Sequence, residues 1–371
     1  MRQRAVTRLD PMPCAPTLAL DLQALNTPTP GVGFTVINFN TAAQTLRCVE
    51  SLAQNDQPPA WVLVLDNASN AADYDLLKRS LAASSATRIQ LYRSDTNLGF
   101  AAGSNFLIEC LMQTPGCDYV GLLNNDAVAL PSLVRLLRQA LNQGTSGVGM
   151  SGGRMHRLAQ PELVDTLGIT LYASLMPADR KTTTDPYLGP TGGCCLMTRH
   201  FLADVKAVSG YWFDERYFCY CEDTDLVLRA NLLGYRPAYV DDLIALHEGQ
   251  ASANGQPSHF IAYHGLRNAI WMQWKLIPVG VFWRFAPQWL LAHVLTLVRQ
   301  VLSGRAGLLW RVYRDALEQF GAIRLERQRF ALQRRTDGAA LRAAMSPRFY
   351  RRGYATVVWT EWKRRWMGKR A

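Results

Sequence analysis

Four polar stretches hold the residue types from which a chemical site could be built. The first is Asn124-Asn125-Asp126, closing the apolar run Tyr119-Val120-Gly121-Leu122-Leu123. Its carboxylate and amide oxygens are hard donors of the kind Mg²⁺ or Mn²⁺ accepts when a phosphate completes the shell. Taken alone, Asn-Asn-Asp is also an ordinary turn. The second is Glu222-Asp223-Thr224-Asp225, directly after the aromatic-rich Tyr217-Phe218-Cys219-Tyr220. An acid at a helix start in such surroundings can act as a general base with a raised pKa. Neighbouring helical positions point about 100° apart, so Glu222 and Asp223 cannot share one task. Helix caps and surface charges are the plainer use of these acids, and Asp225 is expected to be one, paired with Arg229. The third is His247, where a neutral imidazole would suit the same cation. The fourth is Gly192-Gly193, which either lets backbone approach a ligand closely or makes a tight turn.

These stretches need a scaffold, and the hydrophobic pattern supplies one. Strands are expected at 33–40, 61–65, 89–92 and 119–123, with helices between them at about 41–53, 72–83 and 97–112. Thr41 is placed to cap the first helix. Alternation at this spacing implies a mostly parallel sheet with right-handed crossovers. Polar residues recur at the strand ends: Asn38 and Asn40, Asp66 and Asn67, Asn97 with Gly99, then Asn124 and Asp126. Ligands of α/β sheets sit at such ends, so the row reads as a nucleotide site. None of the predicted strands is followed by GxGxxG or GxxxxGK[ST], which argues against a dinucleotide-binding domain or a P-loop. Further on, a helix is expected at 131–142, a short strand at 147–150, a helix at 222–233 and strands at 236–240 and 243–246. Residues 155–190 read as a long irregular binding loop.

At 371 residues the chain can hold a large catalytic body and an appendage. Its eight cysteines have no CxxC or zinc spacing, so free thiols in a reducing cytosol are expected, with Cys194-Cys195 and Cys219/Cys221 more suited to packing than redox chemistry. The net charge of +11 is uneven: residues 1–266 hold 19 Lys+Arg against 24 Asp+Glu, and residues 267–371 hold 21 against 5. Only the tail region is built to touch an anionic surface. Residues 1–30 read as a flexible leader without a signal peptide, 31–266 as the catalytic domain, and 267–371 as a basic, Trp-rich helical region.

In order along the chain, Val36-Ile37-Asn38-Phe39-Asn40, Val64-Leu65-Asp66-Asn67-Ala68-Ser69, Asn97 through Asn105, Leu123-Asn124-Asn125-Asp126, Phe213 through Arg229, and His247 with Ser252 resemble the inverting family 2 glycosyltransferases of GT-A fold, and within them the rhamnosyltransferase-type enzymes of O-antigen and cell-wall polysaccharide assembly. The resemblance covers roughly residues 33–270. It implies an α/β GT-A catalytic domain and transfer of a hexose, rhamnose or a relative, from a dTDP- or UDP-sugar to a hydroxyl of a glycan or lipid-linked glycan. It implies Asp223 as catalytic base and Asp126 and His247 at a Mg²⁺ or Mn²⁺. Asp66 would meet the nucleotide, with Asn38, Asn40, Asn67, Asn97, Gly99, Asn124 and Asn125 around it and Gly192 and Gly193 towards the acceptor. Asn124 stands where a strict DxD motif has its first Asp. A non-catalytic nucleotide-sugar or glycan-binding relative and a nucleotidyltransferase are the competing readings; the latter lacks a Gly-rich, basic phosphate loop near the first strand.

The C-terminal region carries Arg334-Arg335, Arg351-Arg352, Lys363-Arg364-Arg365 and Lys369-Arg370 among tryptophans. Its most apolar piece, Val279 to Leu302, is interrupted by Arg284, Pro287, Gln288, His293 and Arg299. A mid-segment Arg is costly in a bilayer, so amphipathic helices lying in the interface, on the cytoplasmic face of an inner membrane, are expected. Nucleic-acid binding is the rival use of such residues and is not expected.

Overall fold

The computed structural model describes residues 15–22, 29–82, 88–143, 147–249, 259–353 and 356. The elements run β1 (Thr17–Leu22), β2 (Thr29–Asn38), α1 (Ala42–Ala53), β3 (Pro59–Asn67), α2 (Ala71–Ala82), β4 (Arg88–Ser94), α3 (Gly99–Gln113), β5 (Tyr119–Leu123), β6 (Ala127–Ala129) and α4 (Leu133–Gln143). They continue with β7 (Val148–Arg157), β8 (Gln160–Thr166), β9 (Ile169–Leu171), β10 (Pro177–Asp179), β11 (Cys194–Thr198), α5 (Arg199–Ser209), α6 (Glu222–Leu232) and β12 (Arg236–His247). Five helices close the described chain: α7 (His259–Leu276), α8 (Val279–Leu302), α9 (Ala306–Glu318), α10 (Phe320–Gln333) and α11 (Gly338–Ala343).

The main sheet has the order β1-β4-β3-β2-β5-β11-β7-β12-β6, with β8 paired to β7. Its centre, β4-β3-β2-β5, is parallel as the alternating pattern requires. Antiparallel strands flank it: β1 on β4, and β11 between β5 and β7. Successive residues of a strand face opposite sides, and β3 uses both. Leu63 and Leu65 pack with Leu107, Ile108 and Leu111 of α3, while Val62 and Val64 pack with Cys48, Val49 and Leu52 of α1. Each such buried side chain contributes roughly 1.5–3 kcal/mol. The register then sets the polar ends side by side, Asn38 opposite Asp66 and Asp66 opposite Arg93.

Several expectations change. The stretch 155–190 is not one irregular loop: β7 runs on to Arg157 and turns into β8, and β9 pairs with β10. Glycines 152 and 153 lower strand propensity, yet close approach explains them, since a Cβ on Gly152 would lie 2.5 Å from Pro190. The string Gly147-Val148-Gly149-Met150-Ser151-Gly152 has GxGxxG spacing but leads into and lies along β7 rather than following a strand. Within the expected leader, Thr17–Leu22 is an edge strand on β4 and β2 begins at Thr29; residues 1–14 lie outside the described residues. Thr41 makes no side-chain cap; Asp73 accepts from Ala42 N–H at 2.8 Å in its place. Cys194 and Cys195 face opposite sides of the sheet, each in a core cluster, and burial raises both thiol pKa values.

The boundary expected at 266/267 falls inside α7. Arg267, Asn268, Gln273 and Lys275 of that helix are buried against the catalytic body. α8 differs: it is continuous through Pro287, and only Val281 and Ala292 are buried. By length and composition it could cross a membrane, and Trp283 (71 % exposed) and Leu290 (57 %) stand on its outer face. Ser252, Lys363-Arg364-Arg365 and Lys369-Arg370 lie outside the described residues.

Candidate active site

The row of strand ends forms one hydrogen-bonded network. Asn38, fully buried, donates through Nδ2 to Asp66 Oδ1 (2.9 Å), Ser69 Oγ (3.0 Å) and Asp73 Oδ2 (2.9 Å), and accepts from Thr45 (2.7 Å). Its polar atoms are therefore engaged within the protein. Asp66 is equally buried and meets Arg93 at 3.1 Å, whose guanidinium lies 3.8 Å over the Tyr74 ring. Asn40 takes a left-handed conformation (φ 55°) and accepts from Asn70 N–H at 2.9 Å. Asn67 donates to Asn97 (3.0 Å) and accepts from Leu98 N–H (2.8 Å), while Asn97 accepts from Gly99 N–H (2.9 Å). Gly99 has φ +73°, and a Cβ there would lie 2.5 Å from Phe218. Only glycine lets α3 start against that ring.

Between β5 and β6 the chain turns at Asn124-Asn125-Asp126. Asn124 N–H donates to Gly193 O (2.8 Å), and Asn125 Nδ2 donates to Thr41 Oγ1 (2.6 Å) and Thr45 Oγ1 (3.0 Å). Asn125 thus ties the turn to α1. Asp126 is left beside the imidazole of His247, Oδ1 to Nε2 at 2.9 Å. The contact lacks hydrogen-bond alignment, and Nε2 is a buried nitrogen without a hydrogen-bond partner. On the far side of the ring, Nδ1 is 2.8 Å from Asp165 Oδ2. Burial alone would lower the His247 pKa, but the carboxylates of Asp126 and Asp165 outweigh it and raise it to about 10. Asp165 sits in β8, inside the stretch read as loop, and its role had no signal in the sequence.

Asp223 is reached from the other side. Its Oδ2 accepts from Gly192 N–H (3.0 Å) and its Oδ1 from Thr224 Oγ1 (3.3 Å) and from Thr224 N–H (2.6 Å). A Cβ on Gly192 would come within 3.3 Å of the Asp223 Cβ and of Phe100, so the glycine admits the carboxylate. Burial raises the Asp223 pKa, opposed by those backbone donors. Glu222 is more deeply buried, its Oε2 has no hydrogen-bond partner, and burial next to Asp223 pushes its carboxyl well above the ordinary range. Glu222 is therefore a desolvated carboxyl beside Asp223 with no hydrogen-bond partner at Oε2.

One cleft of about 2570 Å³ joins these groups. Asn124, Asp165, Gly192, Gly193, Glu222, Asp223 and His247 line it, whereas Asn38, Asn40, Asp66, Asn67, Asn97, Gly99, Asn125 and Asp126 do not; Asp126 meets the lining through His247. Its other wall comes from α7 and α8, through Ala262, Leu266, Leu295, Val298 and Leu302. Among the described residues no three His, Cys, Asp or Glu side chains gather as a complete cation cage. Asp126 and His247 Nε2 nonetheless fit two ligands of a cation whose shell a diphosphate completes, the cation taking the place of the imidazolium proton.

Asp225, expected at the surface, is fully buried. Its Oδ1 takes Arg229 Nε (2.7 Å), and its Oδ2 takes Tyr217 OH (2.9 Å) and Lys275 Nζ (2.5 Å). Lys275 also meets Asp214 Oδ2 at 2.7 Å. The basic C-terminal region thus reaches into the body directly beneath the helix that carries Asp223.

Comparison with known proteins bears on the family and the fold. A family model described as "Glycosyltransferase like family 2" matches residues 30–268. The N-acetylglucosaminyl-diphospho-decaprenol L-rhamnosyltransferase of Mycobacterium tuberculosis is 26% identical over 254 residues, covering 62% of this chain and 80% of the relative. Two solved structures share the fold. The mannosyltransferase PcManGT from Pyrobaculum calidifontis, in complex with GDP-Man and Mn²⁺, has a TM-score of 0.50 at 16% identity over 83% of this chain and 86% of that one. GalNAc-T7 with UDP, GalNAc and Mn²⁺ has a TM-score of 0.51 at 12% identity over 71% and 50%. The matched span runs from the first core strand through the strand ends, Asp223 and His247 to α7, and the chain belongs to glycosyltransferase family 2, as a rhamnosyltransferase-like enzyme of GT-A fold.

Proposed function

We propose that the enzyme is a cation-dependent, inverting hexosyltransferase that moves rhamnose or a related sugar from a dTDP- or UDP-sugar to a hydroxyl of a lipid-linked glycan. The observation carrying this reading is one cleft lined both by the desolvated carboxylate of Asp223 and by His247, whose imidazole meets Asp126. The acceptor O–H loses its proton to Asp223 as its oxygen bonds to the anomeric carbon. The bond from that carbon to the diphosphate oxygen breaks on the opposite face, so configuration inverts. Gly192 and Thr224 N–H groups orient the Asp223 carboxylate, and Asp165 fixes the ring of His247. A divalent cation held by Asp126 and His247 would offset charge on the departing diphosphate.

The acceptor class follows from the second wall of the cleft. The mycobacterial relative is named for a sugar on diphospho-decaprenol. In this chain the apolar side chains of α7 and α8 lead from Asp223 towards the exposed face of α8, a path suited to an isoprenoid carrier. That face and the basic composition of 267–371 support docking on an anionic membrane, with α8 in the interface. A role in O-antigen or other cell-surface polysaccharide synthesis is part of the same proposal. A thermal-shift screen with Mn²⁺ or Mg²⁺ tests it, dTDP-rhamnose first and UDP-sugars next. Stabilisation by a nucleotide sugar that requires the cation supports the reading; no cation-dependent shift with any of them contradicts it.

A further inference from the structure

Directly before the catalytic helix, Phe218 (φ 62°), Tyr220 (φ 70°) and Cys221 (φ 67°) all take left-handed backbone conformations. Residues with side chains occupy that region only when their surroundings impose it. The surroundings here are two residues of α7. Asn268, fully buried, aims its Nδ2 at the carbonyl oxygens of Tyr217 (2.9 Å), Cys219 (2.8 Å) and Tyr220 (2.8 Å). Arg267 holds that amide in place: its Nε and Nη2 donate to Asn268 Oδ1 at 3.0 and 2.9 Å. Arg267 Nη2 also donates to Arg216 O (3.1 Å) and Tyr217 O (3.4 Å), and its guanidinium lies 4.3 Å over the Trp271 ring. On the opposite side Phe218 O accepts from Ala101 N–H of α3 (3.0 Å), and Cys221 O accepts from Asp225 N–H (2.9 Å), opening α6.

We infer that Arg267 and Asn268 are positioning residues, which clamp the strained 217–221 loop so that Asp223 faces the acceptor hydroxyl. The inference rests on Asp223 being the base. An unclamped loop relaxes towards ordinary backbone angles and carries the start of α6 with it, while Asn38, Asp66 and Asn124 at the strand ends keep partners of their own outside the loop. A misplacement of about 1 Å at a reacting group can cost on the order of 100-fold in rate.

The test uses the full-length chain and nucleoside-diphosphate release from dTDP-rhamnose, UDP-N-acetylglucosamine and GDP-mannose, with amide hydrogen exchange of residues 217–224 alongside. Asn268→Ala should lower kcat about 100-fold, leave the donor KM within threefold, and speed exchange in that loop. Asn268→Asp keeps the size but loses the donors, and should do the same. Arg267→Lys should fall between them and the wild type, and serves if the Asn268 variants do not fold. Unchanged loop exchange, or turnover within threefold of wild type in the variants, overturns the clamp. Asp223→Asn is run beside them: if it turns over normally, the base assignment fails, and the exchange data alone then decide whether the clamp exists.

Discussion

Replacing Lys275 by methionine removes one charge from a sealed cluster and leaves its volume nearly filled. The side chain is 1% exposed, and its partners Asp214 and Asp225 are 4% and 0% exposed. Arg229 stays on Asp225 Oδ1, and Arg216 stays on Asp214 at 2.8 Å through Nε and 2.5 Å through Nη2. Asp225 Oδ2 nevertheless loses its cation, and Asp214 Oδ2 is left with Arg216 alone. Breaking a buried ion pair from one side costs about 3–5 kcal/mol, which converts to a fall of roughly 4–6 °C in Tm for a chain of this length. Acid sensitivity changes with it. Burial alone would raise the Asp214 pKa, but Lys275 and Arg216 outweigh it and hold it well below the usual range. A carboxylate with a depressed folded pKa stabilises above its unfolded value of about 3.9, and that contribution is lost as pH falls. Without Lys275 the folded pKa climbs back, so acid unfolding should begin at higher pH. Tryptophan fluorescence during urea unfolding, repeated across pH, measures both effects. A loss below about 1 kcal/mol with an unmoved acid midpoint would refute the cluster's role, since that is the range of an exposed pair.

Three further outcomes follow from the site and the outer helices. Asp165→Asn should weaken Mn²⁺ binding in the presence of UDP by about 10–100-fold, as loss of a carboxylate behind a ligating His does; calorimetry giving wild-type affinity would remove Asp165 from the site. Because burial raises Asp223 and the base must be ionised, kcat/KM should fall on the acid side with a midpoint above the ordinary Asp value; a limb at or below about 3.9 would contradict the desolvated carboxylate. The wild-type chain should sediment with phosphatidylglycerol vesicles, and Trp283→Glu combined with Leu290→Glu should weaken that binding; no binding by the wild type excludes the membrane face.

The row of polar strand ends was legible because parallel register turns motif order into geometry. Once Asn38, Asp66 and Asn124 stand at the ends of neighbouring strands, they share one edge of the sheet. The convergence of Asp126 and His247 follows in the same way, since β6 pairs with the end of β12, His247 opposite Ala127. What stayed hidden depends on contacts between distant segments. Asp165 lies on β8, whose polar, largely exposed face and glycine-bearing partner strand resemble a loop in composition. Asn268 and Lys275 fall just past the charge boundary, where composition reports a basic surface while packing buries those two side chains. Asp225 and Arg229 have the spacing of a surface pair, and only the arrival of α7 makes them interior.

Single-turnover transfer by Asp223→Asn, measured beside nucleotide affinity, tests the central claim most directly. The substitution keeps the shape of the side chain and its contact with Gly192 while removing the proton acceptor. The account predicts a loss of about 100-fold or more in the transfer step, the usual contribution of a general base, with affinity for the nucleotide sugar and Mn²⁺ unchanged. Transfer at near-wild-type rate by the folded variant would contradict it.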